Sequence, residues 1–137
     1  MLRTESKARA RALQLLYAWE VQGRPPFRQV ADGVLTLYGA RGRVWPLALD
    51  YAEEIARQAG RLDALFGEDV ARWRMERIGV VERNILRLAA HELERGEVPP
   101  AVVIDEAVRL ARRFAGAKAP AFVNGVLDAL ARRLGRL

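Results

Sequence analysis

The chain has 137 residues, 51% of them hydrophobic and 29% charged, so it is long enough for one domain with a buried core and too apolar to be disordered. It contains no cysteine, which excludes disulfides, thiolate metal sites and cysteine nucleophiles and fits a reducing compartment. No apolar run approaches the roughly 20 residues of a membrane span, and the start has no signal-peptide core. We expect a single domain over 1–137, cytoplasmic and without membrane contact.

The net charge of +6 is unevenly distributed along the chain. Residues 1–11 carry +3 and residues 107–137 carry +6, whereas residues 12–106 carry −3. Nearly all the basic residues are arginines, because Lys7 and Lys118 are the only lysines. Guanidinium groups bind phosphates bidentately and stack on bases, so the basic ends favour a polyanionic partner on one surface. The acidic middle is then left for a second partner.

Apolar residues repeat at helical spacing through most of the chain, which predicts an all-α fold. The first helix is predicted from about Thr4 or Ser6 to Gln22, and Gly23 and two prolines end it. One face of this helix is polar and basic, with residues spaced by four, four and three: Arg3, Lys7, Arg11 and Gln14.

Seven further helical segments are predicted along the rest of the chain. Their approximate ranges are 27–38, 46–60, two short pieces at 62–66 and 69–75 separated by Gly67, 78–95, 101–114, and a last helix from Pro120. Asn124-Gly125 often forms a hairpin turn, but here it lies between apolar positions at helical spacing. Since a glycine inside a helix costs about 1 kcal/mol, Gly125 indicates close helix packing or a functional approach of the backbone.

The sequence contains no recognisable catalytic or metal-binding motif. His91-Glu92 resembles the start of a helical zinc motif, but Arg95 occupies the position of the second histidine and the chain has no other histidine. The glycine-rich segment 39–43 lacks the ending of a phosphate-binding loop. We predict that the protein is not an enzyme and uses no metal or cofactor.

Basic residues near aromatic ones are the better candidates for function. Phosphate contacts supply most of the affinity for nucleic acids, and cations in line on a helix can follow a backbone, although a solvated face has the same pattern. Lys118 precedes Phe122, whose ring either stacks on an unpaired base or belongs to the core. Arg87 and Glu106 adjoin core positions, which favours a partly buried ion pair between helices over RNA contacts.

Four segments resemble the NusB family of transcription antitermination factors: RARALQLLYAWE, VERNILRLAAHEL, PPAVVIDEAVRLARRF and FVNGVLDAL, in this order. The match covers nearly the whole chain and is weakest over 24–77. The resemblance implies a compact all-helical domain of about seven helices in two three-helix subdomains, without enzymatic activity. It also implies binding of boxA RNA together with NusE, a small-ribosomal-subunit protein, in the transcription elongation complex, notably on ribosomal RNA operons.

The resemblance also assigns residues to two surfaces. The RNA side of the family maps onto Arg3, Lys7, Arg11, Gln14, Lys118 and Phe122. The NusE side maps onto Tyr17, Glu76 and Glu82. Family members often have an acidic, serine-containing loop before FVNG, whereas this chain has Ala-Lys-Ala-Pro. We expect Lys118 to strengthen RNA binding in the absence of NusE, because a lysine in place of an acidic residue removes a charge that repels phosphate.

Two other functions fit the sequence. RNA cytosine methyltransferases can carry an N-terminal domain similar to NusB, but this chain has neither a glycine-rich cofactor turn nor a cysteine nucleophile, so it would be a detached targeting domain. A helical protein-interaction module without RNA binding is the second alternative. Some family members form homodimers that cover the RNA face, and the sequence leaves monomer and homodimer open.

Overall fold

The computed structural model describes residues 3–39, 42–73 and 78–137, apart from the side chain of Arg3. In these ranges the chain forms seven helices and no strand, which confirms the all-α prediction. The helices are α1 (Arg3–Val21), α2 (Phe27–Tyr38), α3 (Val44–Arg57), α4 (Ala59–Ala71), α5 (Val80–Arg95), α6 (Pro100–Phe114) and α7 (Ala119–Arg133).

The chain divides into two compact units. Residues 1–58 contain α1 to α3, as in the three-helix subdomain that the resemblance implies, and residues 59–137 contain α4 to α7. The described part of the second unit therefore has one helix more than that resemblance implies. The assignment of 1–137 to a single domain stays a prediction from chain length.

In the first unit, α1 packs mainly against α3, and α2 contacts both. The apolar stripe of α1 is buried against small and branched side chains of α3; the fully buried residues of the two helices are Ala12, Leu13, Leu15, Leu16, Ala48, Ala52 and Ile55. Arg28 of α2 donates to Glu53 of α3 through Nε and Nη2, at 3.0 and 2.9 Å. This bidentate pair fixes how α2 lies on α3.

The turn after α1 follows the glycine and proline signals of the sequence. Gly23 and Arg24 both have positive φ angles, +84° and +59°, and reverse the chain direction. The indole N–H of Trp19 donates to the carbonyl of Pro25 at 3.1 Å, and the Arg24 guanidinium lies 5.0 Å from the Trp19 ring centre. The prolines then lead directly into α2 at Phe27.

The second unit is built around α5. Ten consecutive residues of this helix, 84–93, are buried, and α4, α6 and α7 all pack on it. A helix that is shielded on all sides is the natural centre of a helical unit. Buried apolar side chains of its neighbours include Leu62, Phe66, Val103, Leu110, Val123, Val126, Leu127 and Leu130.

Arg87 is the one fully buried arginine among the described side chains, and its charge is paired. Its Nε and Nη2 donate to the two carboxylate oxygens of Asp63 on α4, at 2.7 and 2.6 Å, and its Nη1 donates to Oδ1 of Asn84 at 2.9 Å. The prediction of a structural Arg87 in an ion pair between helices is confirmed, and Asp63 is a carboxylate partner. Glu106 is also buried, at 7% exposure, on α6.

The predicted break at Gly67 is wrong, because α4 runs continuously from Ala59 to Ala71. Leu62, Phe66 and Asp69 are buried on one side of this helix, whereas Gly67 is exposed with open space around its α-carbon. Gly67 therefore costs helix propensity but no packing. The predicted piece over 69–75 is not a separate helix, and residues 74–77 lie outside the described part. The third helix also ends earlier than predicted, at Arg57.

The helical interpretation of Asn124-Gly125 is confirmed, and Gly125 has a packing reason. A β-carbon at Gly125 would overlap Cζ2 of Trp73 and lie only 2.8 Å from its Cε2. The Trp73 indole, just after α4, thus lies directly on the backbone of α7. Only glycine permits this approach.

Asp63→Ala should destabilise the protein by about 3 kcal/mol, because it leaves the buried Arg87 without this carboxylate. Urea unfolding followed by circular dichroism measures the change. The matched control is Glu94→Ala, which removes the partner of Arg61 in a pair with exposed side chains (53% and 28%) and should cost at most about 1 kcal/mol. Equal losses in the two variants would contradict a special role for the buried pair.

Gly125→Ala should lower the free energy of unfolding by about 1–2 kcal/mol, since overlap with Trp73 outweighs the gain in helix propensity. Gly67→Ala is the control in the same unit, because its β-carbon meets nothing within 4 Å. We expect Gly67→Ala to stabilise by about 0.5–1 kcal/mol. Thermal unfolding of both variants tests this, and a stabilising Gly125→Ala would refute the close contact.

Candidate nucleic-acid interface

The candidate RNA residues of the first unit share one side of α1. Lys7, Arg11 and Gln14 are followed by Tyr17 and Val21, at spacings of four, three, three and four residues, which keeps all five on one stripe of the helix. Lys7 is exposed, and Arg11 and Gln14 are half-buried. Tyr17 and Val21 are 45% and 54% exposed. This α1 stripe is therefore cationic at its N-terminal end and apolar at its C-terminal end.

The guanidinium of Arg11 is held in a defined orientation. Its Nη1 donates to Oε1 of Gln14 at 3.0 Å, and its Cζ lies 5.4 Å from the ring centre of Trp45 on α3. Trp45 also stacks on Tyr38, with ring centres 6.3 Å apart and planes inclined by 21°. Since a guanidinium has five N–H donors, Arg11 retains donors for a phosphate while its plane is fixed by the indole.

The other basic residues near the chain start differ in their exposure. Arg9 is only 6% exposed, so it does not add to the cationic end of the α1 stripe. Arg3 is the first residue of α1, and its side chain lies outside the described part. Lys7 and Arg11 are therefore the cations of this stripe whose side chains are described.

The predicted RNA residues of the second unit have different surroundings. Lys118 is exposed and directly precedes α7, but Phe122 is only 2% exposed. The Phe122 ring packs edge to face with Trp73, with ring centres 5.8 Å apart and planes at 90°. Phe122 therefore belongs to the core and does not offer its ring to a base, because the ring is covered within the unit. This corrects its assignment to the RNA side.

The predicted NusE residues are found in three situations. Tyr17 is exposed on the α1 stripe. Glu82 is half-buried, and its Oε2 accepts a hydrogen bond from the backbone N–H of Gly79 at 3.2 Å, which closes the N-terminus of α5. Glu82 thus has a capping role in addition to any role in binding. Glu76 lies outside the described residues.

Sequence reasoning missed three exposed apolar side chains near these residues. They are Val21 on the α1 stripe, Tyr38 beside Trp45, and Trp73 beside Phe122, which is 43% exposed. The first two follow helical patterns that do not reveal exposure. Trp73 had a signal in Gly125, whose place inside a helix already indicated a close approach.

The described residues show no arrangement for a metal or a membrane. No group of three or more histidine, aspartate or glutamate side chains within 3–39, 42–73 and 78–137 is arranged to hold a metal ion. His91 is buried within α5, at 6% exposure. Across the same part of the chain, no helix has both the length and the apolar character needed to cross a bilayer.

Comparison with known proteins decides the family. Residues 6–132 match the model of the NusB family. The chain belongs to the NusB family. Proteins of this family are transcription antitermination factors and not enzymes, so the protein is an antitermination factor without a catalytic role.

Individual relatives and a solved structure agree with this assignment. The transcription antitermination protein NusB of Solibacter usitatus is 39% identical over 129 residues, covering 93% of this chain and 88% of the relative. NusB of Sorangium cellulosum is 42% identical over 137 aligned residues, covering 96% and 94%. A crystal structure of the antitermination factors NusB and NusE with double-stranded RNA contains a chain that matches with a TM-score of 0.81 and 27% identity, covering 97% of this chain and 99% of that one.

Proposed function

We propose that this protein is an RNA-binding adaptor of antitermination. It binds a single-stranded boxA segment of nascent RNA together with NusE, and the assembly joins the cytoplasmic elongation complex to promote processive transcription, notably of ribosomal RNA operons. The observation that carries the proposal is the α1 stripe, whose cationic and apolar ends suit two different ligands. A relative of the same fold has been crystallised with NusE and RNA, which supports both ligand classes.

The cationic end of the stripe suits a phosphate backbone. Lys7 offers a mobile ammonium, and Arg11 offers a planar guanidinium fixed against Trp45 and Gln14. A fixed guanidinium loses less conformational entropy on binding, so it contributes more affinity per contact. Arg3 and Gln14 are the further α1 residues that we assign to the RNA.

Lys118 is the RNA residue that we assign in the second unit. It is exposed, and its position directly before α7 leaves the ammonium accessible. The described neighbours in sequence, residues 115–121, include no acidic side chain, so no adjacent carboxylate repels a phosphate. This supports RNA affinity without the help of NusE.

The apolar end of the stripe suits a protein. Tyr17 and Val21 expose an aromatic and an aliphatic side chain one turn apart, a combination common at the centre of protein interfaces. We assign this end to NusE, with Glu76 and Glu82 as acidic residues facing a basic ribosomal protein. Glu82 keeps one carboxylate oxygen for a partner while the other caps α5.

Lys118→Glu should weaken boxA binding at moderate salt and lower the salt slope by about 0.7–1, the contribution of one phosphate contact. Fluorescence anisotropy of a labelled boxA oligonucleotide over a series of KCl concentrations measures both quantities. Arg95→Glu changes the net charge equally at a residue assigned to no ligand and serves as the control. If Lys118→Glu matches this control, the loop before α7 is not on the RNA.

RNA and NusE should each increase the affinity of the protein for the other. When one ligand is bound, its contacts with the second ligand raise the effective concentration of the second ligand at its own interface. Titration of NusE into the protein, with and without saturating boxA RNA, measures the coupling. Tyr17→Ala should weaken NusE binding and leave RNA binding by the protein alone unchanged. Independent binding of the two ligands would refute the cooperative mechanism.

Sedimentation with and without boxA RNA distinguishes the remaining possibilities. A monomer that binds RNA supports the proposal, whereas a homodimer that dissociates on RNA binding indicates a covered RNA face. Binding of protein partners without any salt-dependent RNA complex would instead indicate a protein-interaction module.

A further inference from the structure

Trp73 differs from the other two tryptophans of the chain in its exposure. Trp19 and Trp45 are 7% and 8% exposed, whereas Trp73 is 43% exposed. Exposed tryptophan rings are uncommon on protein surfaces, because the ring is the largest apolar side chain. Their enrichment at binding surfaces makes Trp73 the side chain of the second unit most in need of an explanation.

The covered part of the Trp73 ring is rigidly supported. It lies on the bare backbone at Gly125 and contacts the Phe122 ring edge to face at 5.8 Å. The backbone N–H of Trp73 donates to the carbonyl of Val70 at 2.9 Å, which continues the last turn of α4. The indole is therefore fixed in place before any ligand arrives, and a fixed aromatic ring loses little entropy when a base stacks on it.

The surroundings of Trp73 are cationic. Lys118, Phe122 and Gly125 follow the spacing i, i+4 and i+7, so Lys118 lies on the side of α7 that contacts Trp73. Arg72, next to Trp73 in the chain, is exposed.

The buried carboxylate one turn before Trp73 is paired with an arginine. Asp69 is 1% exposed, and its Oδ2 accepts a hydrogen bond from Nη2 of Arg133 at 2.7 Å. This hydrogen bond raises the pKa of Arg133 above its usual range. Arg133 also pairs with Glu68, at 2.9 Å from Nε to Oε1, so both carboxylates at the end of α4 are held on the Arg133 guanidinium.

We propose that Trp73 stacks on an unpaired base of single-stranded RNA, while Lys118 binds a neighbouring phosphate. An exposed aromatic ring beside cations is the combination typical of single-stranded RNA binding. Phe122 supports this platform from below. The inference rests on the proposed RNA-binding function and adds a base-stacking residue to it.

Tryptophan fluorescence tests the stacking directly. A bound base quenches the emission of the indole on which it stacks, and Trp73 is the exposed one of the three tryptophans. Saturating boxA RNA should quench wild-type emission, and Trp73→Phe should abolish most of this quenching. Unchanged quenching in Trp73→Phe would overturn the proposal.

An abasic scan of the RNA identifies the stacked base and separates binding from folding. Trp73→Leu should weaken boxA binding by roughly 5- to 100-fold, the usual effect of losing one stacked base. Removing the stacked base at one RNA position should weaken wild-type binding by a similar factor. The same abasic RNA should bind Trp73→Leu almost as well as intact RNA does, since both changes remove the same contact. Additive losses at every position would overturn the proposal, even if Trp73→Leu is less stable.

Tyr38→Leu is the matched control, because Tyr38 is an aromatic residue of the first unit with 71% exposure. This variant should keep the quenching and the full effect of the critical abasic position. Wild-type RNA binding that is weakened by Lys118→Glu but insensitive to Trp73 would leave the proposed function intact and refute the stacking. Absence of wild-type RNA binding would refute both.

Discussion

The buried charge of Arg87 is the constraint on which the second unit depends. A guanidinium without solvent is tolerated only when hydrogen-bonded anions or dipoles surround it, and Asp63 and Asn84 supply these groups. Since Asp63 belongs to α4, its pairing with Arg87 fixes the position of α4 along α5. Arg133 then joins α7 to the C-terminal part of α4 through Asp69 and the carbonyl of Leu65. These two arginine contacts hold α4 against α5 and α7, and Trp73 meets Gly125 just beyond the end of α4.

The first unit connects core and surface through an aromatic ring. Trp45 is buried in the contact of α3 with α1, yet its ring carries Arg11 and Tyr38, which extend toward solvent. The orientation of a cation on the α1 stripe therefore depends on the packing of another helix. A substitution in α3 can change ligand binding on α1 without touching the ligand, so effects on affinity need to be compared with effects on stability.

The sequence predicted the fold well where local signals are strong and failed where distant packing decides. Gly23 with two prolines and Gly96 before Pro99 and Pro100 mark helix ends that the structure reproduces within a few residues. Gly67 led to the wrong prediction of a helix break, because a glycine on an exposed face interrupts the apolar pattern without breaking the helix. Helical spacing could not decide between base and core for Phe122, since the ring that covers it, Trp73, is 49 residues away in the chain.

The candidate site was likewise predictable where local spacing decides and not where distant packing decides. Lys7, Arg11 and Gln14 share a side of α1 because helical spacing alone fixes it, and this part was predictable. The exposure of Trp73 depends on how the end of α4 meets α7, and no local pattern contains that information. Only Gly125 gave a trace of it, because a glycine inside a helix reflects a contact made by another segment.

The α1 stripe also fixes the distance between its cationic and apolar ends. At 1.5 Å per residue, the 14 residues from Lys7 to Val21 separate its two ends by about 21 Å. Two ligands held at these ends keep a constant separation. One inserted residue between them would add 1.5 Å and rotate one end against the other by about 100°. The exposed positions of α1 should therefore accept exchange of side chains far more readily than any change in the number of residues.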